Sequence, residues 1–447
     1  MKYNKRVPIY KLEAKKDRAI LVGLQTESQS HWDVEESLKE LAQLAETANI
    51  EVAHITKQTR PQPHPAYYIG PGKARKMAGL AKVYDANIII FDDNLTPSQD
   101  RNLHSVIHRQ IIDRSQLILN IFAQHAKTYQ SKIQVELAQL EYNLSRLKHQ
   151  WRHLSRIEGG IGLRGPGEKQ LEVDRRRIRD RIALLKSKLQ TIEKTVATKK
   201  KKRENIFSVA LVGYTNAGKT SLLKRLTHTD GFIADKLFAT LDTTTRRKKL
   251  SSNDMIVVSD TIGFIRKLPP YLIASFHATL QEVINADLLL HVIDISHPKL
   301  YEYIEAVLST LEGIEAINNN NMVFVFNKID LLPHNQLLFL KKKLHIDFPN
   351  SIFISTKTGE NFSAVEKKII EILRAQKREV SLKIPNKEQK MISFIYEYAE
   401  VLKRRYNNGF VHMKIRIPNP LYAQNFNEFR RYEFKTKRMA KRREIIS

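Results

Sequence analysis

Cysteine is absent from all 447 residues, which excludes a disulfide framework and every cysteine-ligated metal site. Long apolar runs are missing too. The longest, such as Leu288–Ile295, are strand-length and already hold polar residues, well short of the ~18 apolar residues that read as a membrane span. The stretch up to Leu24 is basic but has neither a signal-peptide apolar core nor a small-residue cleavage site. A cytosolic protein is expected. Acidic residues are the scarce charge: 47 Asp and Glu stand against 75 Lys and Arg, a net charge of +28 and a pI near 9.9. An excess that is both large and clustered points to a polyanionic partner rather than a merely soluble basic surface. Nucleic-acid phosphates fit it better than an acidic membrane. With 42% hydrophobic residues the chain can bury real cores, and its length predicts two to four domains.

Residues 1–126 alternate strand-like and helix-like patterns, which predicts a small α/β domain with a parallel sheet. Ala19–Leu24 and Ile88–Phe91 read as strands and Val34–Ala48 as a helix. Thr96-Pro97 reads as an N-cap followed by proline at the first helical position. Gly70-Pro71-Gly72-Lys73 is either a phosphate-binding turn or a plain turn into a helix, the second being the better-supported reading of four residues. Asp92 and Asp93 suit a loop or capping role better than a metal.

Residues 127–198 carry a different period. Ile133, Leu137, Leu140, Leu144, Leu147, Trp151 and Leu154 form a heptad seam. Leu171, Ile178, Leu185 and Ile192 form a second, with Ile182 and Leu189 between. Five of the sixteen glycines fall in the nine residues Gly159–Gly167 separating the seams. The pattern predicts an antiparallel helical hairpin with a glycine-rich tip, each arm roughly 40 Å long at 1.5 Å per residue. A turn between helices needs only about two to five residues, and glycine lets a backbone approach a ligand closely. The tip, with Gly160, Arg164, Gly165 and Gly167 as candidate RNA contacts, is expected to enter a nucleic-acid cavity; a flexible cap is the plainer reading. Lys199–Arg203 reads as a solvated linker to the next domain. From residue 379 to 447, Val380–Ile384 and Val411–Ile417 alternate like strands and flank an amphipathic stretch, Lys387–Tyr406. A small α+β domain with a cationic tail is expected there.

Residues 206–375 carry the chemistry. Gly213-Tyr214-Thr215-Asn216-Ala217-Gly218-Lys219-Thr220 matches GxxxxGK[ST] between an apolar strand and a helix. Glycines leave backbone N–H groups free for phosphate oxygens, and the helix N-terminus adds partial positive charge. Lys219 suits the β- and γ-phosphates and the Thr220 hydroxyl suits Mg²⁺. Asp260-Thr261-Ile262-Gly263 follows a strand, so Asp260 can hold the metal through water and the Gly263 N–H can sense the γ-phosphate. Asn327-Lys328-Ile329-Asp330 follows another. The Asp330 carboxylate accepts two hydrogen bonds from guanine N1–H and its amine, which adenine lacks. Ser355-Thr356-Lys357 follows a third strand and can close over the base. Each motif is short; all four in order predict a Mg²⁺-dependent P-loop GTPase with a mixed, mostly parallel sheet. Phe238-Ala239-Thr240-Leu241-Asp242 occupies the place of a switch loop, where Thr240, Thr243, Thr244 and Thr245 compete for the metal. Phe264 follows the second motif and cannot orient a water, so intrinsic hydrolysis is expected to be slow. Arg246 and Arg247 read as surface or RNA-contacting residues.

These residues, with Tyr68–Lys73, Phe91–Leu95 and Arg164-Gly165-Pro166-Gly167-Glu168, resemble the HflX family of translation-associated GTPases over nearly the whole chain. Lys169 and Thr356 depart from its usual Thr and Ala. The resemblance implies Thr240 as the switch threonine on Mg²⁺, and Lys219, Thr240 and Gly263 as the catalytic set. It also implies a factor that binds the large ribosomal subunit and its RNA, splits stalled or idle ribosomes, and places the hairpin tip near the peptidyl transferase centre. A monomer without stable membrane insertion is expected. The alternative is a ribosome-biogenesis or RNA-remodelling NTPase with a second nucleotide site in the N-terminal domain.

Overall fold

The computed structural model describes residues 17–154, 166–201, 206–228, 238, 244–250, 255–261, 263–267, 277–317 and 321–434. The first sheet is built from β1 (Arg18–Gln25), β2 (Glu51–Thr59), β3 (Ile88–Phe91) and β4 (Gln110–Asp113), in the order β2-β1-β3-β4 and parallel throughout. β1 and β3 are continuous apolar runs because both faces of their sheet are covered. Helix α1 (His31–Thr47) starts at a capping box in which Ser30 and Asp33 satisfy each other's backbone N–H groups. α2 (Pro71–Val83) opens at the Gly70 turn. α3 (Pro97–Ile107) has Thr96 and Gln99 as a second capping box, with proline at the first position. α4 (Arg114–His125) completes the unit. The segments Glu51–Thr59 and Gln110–Asp113 lack a clear apolar alternation, so nothing in their sequence alone marks them as strands.

α5 (Tyr129–Leu154) and α6 (Pro166–Lys201) form the hairpin, 26 and 36 residues long. Ile133 and Leu137 pack on Ile182, Leu185 and Leu189, with Leu140, Leu144, Ile178 and Ile192 beside them. The two heptad seams therefore meet as a coiled coil does. A second face of α5 (Val135, Ala138, Tyr142) joins the core of the first sheet. α6 is longer than the heptads imply, because the lysine run read as linker stays helical through Lys201. Gly167 lies in its first turn; Gly160, Arg164 and Gly165 lie outside the described residues.

The second sheet has six strands, β10-β9-β8-β5-β7-β6. β5 (Phe207–Val212), β7 (Met255–Asp260), β8 (Leu288–Asp294), β9 (Asn321–Asn327) and β10 (Ser351–Phe353) are parallel. β6 (Thr244–Lys249) is an antiparallel edge, and its Arg246-Arg247 are exposed. Charge on an edge strand blocks further pairing. Helices α7 (Lys219–Thr227), α8 (His277–Ile284), α9 (Leu300–Gly313), α10 (His334–Asp347) and α11 (Phe362–Ala375) cover the sheet. The third sheet is antiparallel, β11 (Lys377–Pro385), β13 (Phe410–Pro418) and β12 (Glu400–Asn407) in that order. α12 (Gln389–Tyr398), α13 (Asn419–Gln424) and α14 (Phe426–Tyr432) complete it. The stretch Lys387–Tyr406 thus divides into a helix and a strand rather than one amphipathic element.

One hydrophobic cluster crosses from the first sheet to the second. It joins Leu41, Leu117, Ile121 and Phe122 to Val212, Tyr214, Phe238, Phe264 and Val283. At its margin sits a buried charge cluster. Arg114 is 1% exposed; its Nη1 lies 2.7 Å from Asp92 Oδ1 and its Nη2 3.0 Å from Glu40 Oε1. Asp92 also accepts from Ser37 Oγ at 2.6 Å and from Lys267 Nζ at 2.7 Å. Burial alone favours a protonated Asp92, but Arg114 and Lys267 outweigh it and hold the carboxyl below the usual range. Burial pushes Glu40 up against the pull of Arg114. Asp92 and Asp93 are therefore ion-pair partners rather than caps. Removing one partner of a buried ion pair leaves uncompensated charge. Arg114→Ala is expected to cost about 3–5 kcal/mol of unfolding free energy, read by urea denaturation; a loss below about 1 kcal/mol would mean that water replaces the guanidinium.

Candidate functional site

The four sequence motifs converge at the carboxyl ends of β5, β7, β9 and β10, as ligand sites do in open parallel sheets. Gly213 follows β5 with φ +146°, and a Cβ there would lie 2.2 Å from the Val292 carbonyl oxygen. Only glycine permits the loop to pass β8 so closely. Gly218 precedes α7, so the loop residues up to Thr220 face outward from a helix N-terminus. Lys219 is buried, and its Nζ donates to the carbonyls of Gly213 at 3.0 Å and Tyr214 at 2.8 Å. Burial lowers its pKa to about 8, against the raising effect of Asp260. Among the described residues the hydrogen-bond acceptors of Lys219 are neutral carbonyls, and a buried ammonium so partnered is a place prepared for an anion.

Thr220 Oγ1 donates to Asp260 Oδ2 at 2.7 Å, and Asp260 is wholly buried. A hydroxyl and a carboxylate at the end of a phosphate-binding loop are the hard oxygen set that Mg²⁺ prefers. Gly263 packs so tightly that a Cβ would stand 3.0 Å from Thr215 Cα and 3.1 Å from Lys219 Nζ. The next residue bonds to the loop on both sides. Phe264 N–H donates to Gly213 O at 3.1 Å, and Thr215 N–H to Phe264 O at 2.8 Å. Phe264 is buried in the shared apolar cluster. A hydrophobic residue at this position therefore has a packing role, pinning the segment after Gly263 to the phosphate loop. Thr261 Oγ1 anchors the same segment on Leu211 O at 2.6 Å.

The base end is also hydrogen-bonded. Asn327 Nδ2 donates to Ala217 O at 2.9 Å and Asn327 Oδ1 accepts from Thr356 N–H at 2.9 Å, so one buried amide ties the phosphate loop to the last motif. Asp330 Oδ1 accepts from Ser355 Oγ at 2.6 Å, and Ser355 Oγ accepts in turn from Thr358 N–H at 3.0 Å. Lys328 Nζ lies 2.7 Å from Asp294 Oδ2, and Ile329 N–H donates to Ile354 O. Arg225 braces this loop through Thr356 O at 2.7 Å. Lys357 follows in the same loop. Ala239, Thr240, Leu241, Asp242 and Ile262 lie outside the described residues. Of the competing threonines, Thr244 and Thr245 are strand residues of β6, and Thr245 Oγ1 bonds to Ser259 Oγ at 3.1 Å.

Tyr214 has a role that its place in a phosphate-loop motif does not announce. Its hydroxyl donates to Glu40 Oε1 at 3.0 Å and accepts from Arg266 N–H at 2.7 Å. Its ring stacks on Tyr303 at 3.9 Å. Lys267 Nζ lies 2.6 Å from Asp93 Oδ1 as well as on Asp92. Helix α1, through Glu40, thus grips the phosphate loop, and the loop after β3, through Asp92 and Asp93, grips the segment after Gly263. No sequence signal marks Glu40, Arg114, Lys267 or Tyr303, because each acts on a partner 22 to 175 residues away. The Gly70 turn is engaged internally: Gln58 Oε1 accepts from Gly70 N–H at 2.8 Å and Thr56 Oγ1 from Lys73 Nζ at 2.6 Å. His291, buried beneath the loop on β8, is held neutral by burial and by Lys219, its pKa lowered to about 3.

An anion beside Lys219 favours its charged form, so nucleotide binding raises that pKa from about 8. Between this value and that of the complex, binding takes up a proton, and affinity falls as pH rises. Calorimetry in buffers of differing ionisation enthalpy is expected to show about half a proton taken up per nucleotide near pH 8, and none in Lys219→Ala. Equal uptake by both proteins would assign the proton elsewhere.

Three family models match successive parts of the chain. They are "GTP-binding GTPase N-terminal" over residues 35–123, "GTP-binding GTPase Middle Region" over 125–203, and "50S ribosome-binding GTPase" over 208–328. GTPase HflX of Flavobacterium psychrophilum is 43% identical over 376 residues, covering 80% of this chain and 91% of that protein. GTPase HflX of Escherichia coli is 41% identical over 386 residues, covering 86% and 90%. A GTP-binding protein from Sulfolobus solfataricus, solved with GDP, is 25% identical with a TM-score of 0.44, covering 80% of this chain and 98% of that one. With relatives this similar over most of its length, and a phosphate loop, metal-side carboxylate and guanine-side carboxylate in one cleft, the chain belongs to the HflX family of GTPases, with GTP and Mg²⁺ as its ligands.

Proposed function

We propose that this GTPase binds the large ribosomal subunit and splits stalled or idle ribosomes. The observation that carries the reading is the hairpin: two packed helices of 26 and 36 residues, separated in sequence by a glycine-rich stretch with Arg156 and Arg164, in a chain of net charge +28. The match to a family described as 50S ribosome-binding supports it. The division of labour follows the predicted boundaries, with an N-terminal unit over 1–126, the hairpin over 127–198, the G domain over 206–375 and a C-terminal unit over 379–447. Gly160, Arg164, Gly165 and Gly167 meet ribosomal RNA near the peptidyl transferase centre. The factor works as a monomer in the cytoplasm.

Within the G domain, backbone N–H groups of Gly213–Thr220 cradle the phosphates and Lys219 neutralises the β- and γ-oxygens. Thr220 and Thr240 are the direct Mg²⁺ ligands and Asp260 acts through water. When bound, Mg²⁺ neutralises charge that develops on the phosphate oxygens. Phe238–Asp242 close over the nucleotide, with Asp260, Thr261, Ile262 and Gly263 on the γ-phosphate side. Asn327, Lys328, Ile329 and Asp330 read guanine, and Ser355, Thr356 and Lys357 cover it. Lys219, Thr240 and Gly263 bear on the reacting phosphate. Phe264 is committed to packing, so backbone, another residue or a partner places the attacking water, and the isolated enzyme turns over slowly.

Two outcomes test these assignments. Asp330→Asn exchanges an acceptor for an amide donor and is expected to weaken GTP at least tenfold while gaining xanthosine triphosphate, read by fluorescent-nucleotide titration. Light scattering of intact ribosomes is expected to fall on mixing with protein and a non-hydrolysable GTP analogue, more slowly with GDP. Replacing Gly159–Gly167 by a short linker is expected to abolish the fall and the stimulation of GTP hydrolysis by large subunits. Scattering that falls equally with GTP analogue, GDP and no nucleotide would refute the coupling.

A further inference from the structure

The third sheet has two unlike faces. Val380, Leu382, Ile384, Val411, Met413, Ile415 and Ile417 point into its core against the helices. Among the described residues the helices pack on that core face, and the opposite face is exposed or half-exposed and cationic. Register places Lys383, His412 and Arg405 in one row across β11, β13 and β12, with Lys414 and Lys403 opposite each other in the next. Lys414 is compensated by Glu379 at 2.6 Å. Lys383, Lys403 and Arg405 make no ion pair among the described residues. Like charges directly opposite in a sheet are destabilising. A face that keeps them is suited to a polyanion.

Aromatic groups are interleaved with these cations. Lys383 Nζ lies over the Phe410 ring at 4.4 Å. Phe434, whose N–H donates to Ser381 O on the outer side of β11, sets its ring edge-on to His412 at 5.4 Å. Six of the thirteen residues after Phe434 are Lys or Arg and one is acidic. Phosphate attraction alone would serve any polyanion. Flat rings on an open sheet add a preference, because they stack on bases whose faces are free, as in an unpaired strand, and not on bases within a duplex.

We propose that the open face of this C-terminal sheet is a binding site for single-stranded RNA, with Lys383, Lys403 and Arg405 on phosphates and Phe410, His412 and Phe434 against bases. The site is separate from the hairpin tip and from the nucleotide cleft. The test uses the full-length protein and a fluorescent oligouridylate, without ribosomes, so a negative result leaves the ribosome reading standing. The triple variant Lys383→Ala, Lys403→Ala, Arg405→Ala is expected to lose at least tenfold in affinity by anisotropy. Its salt dependence should flatten by about 2 in log–log slope, near 0.7 for each phosphate contact on a single strand. Phe410→Ala should lose affinity without changing the salt slope. Basal GTP hydrolysis of both variants should match the parent, which checks folding. Photocrosslinking with thiouridine RNA should label β13 or the segment at Phe434. Unchanged affinity and slope in the triple variant, crosslinks confined to other parts of the chain, or a preference for duplex RNA would each overturn the proposal.

Discussion

The contact on which the rest of the molecule depends is the buried charge cluster between α1 and the G domain. Arg114 balances Glu40 and Asp92; Glu40 holds the Tyr214 hydroxyl, and Asp92 holds Lys267. Tyr214 belongs to the phosphate loop and Lys267 to the segment after Gly263. The phosphate loop and the segment after Gly263 are therefore both tied to the N-terminal unit, the first through α1 and the second through the loop after β3. Charges buried this deeply cost several kcal/mol each to desolvate, and only good mutual geometry offsets that. Arrangements of this kind tolerate two discrete states better than intermediate ones.

The same contact explains the crevice of the first sheet. Its strand order reverses between β1 and β3, the place where such sheets usually bind ligands. Asp92, just past β3, is engaged there by Arg114 and by Lys267 from the G domain. The N-terminal unit thus presents its ligand-binding end to its neighbour. The Gly70 turn, the other candidate for phosphate in this unit, spends its first N–H and its lysine on Gln58 and Thr56.

Phe264 illustrates how packing and chemistry trade against each other. A polar residue in its place could orient water but would forfeit a buried position in the cluster shared by both sheets. The hydrophobic side chain stabilises the pairing of the Gly263 segment with the phosphate loop. Stability is gained at the position where many GTPases invest in hydrolysis.

By itself the sequence determined the local chemistry. Gly213, Lys219, Thr220, Asp260, Asn327 and Asp330 are legible because phosphate, metal and guanine recognition demand fixed residue types at short, fixed spacings. The strands Ile88–Phe91 and Val209–Val212 are legible as short continuous apolar runs, the cap at Thr96-Pro97 by its residue types, and the heptad seams by their 3.5-residue repeat. Tertiary structure alone decided what is joined to what. That Tyr214 serves Glu40, that Lys267 serves Asp92, and that Lys383, His412 and Arg405 form one row depend on pairs separated by 7 to 175 residues. Such pairs carry no periodic trace. Their energy comes from burial and from proximity that exists only once the sheets have formed.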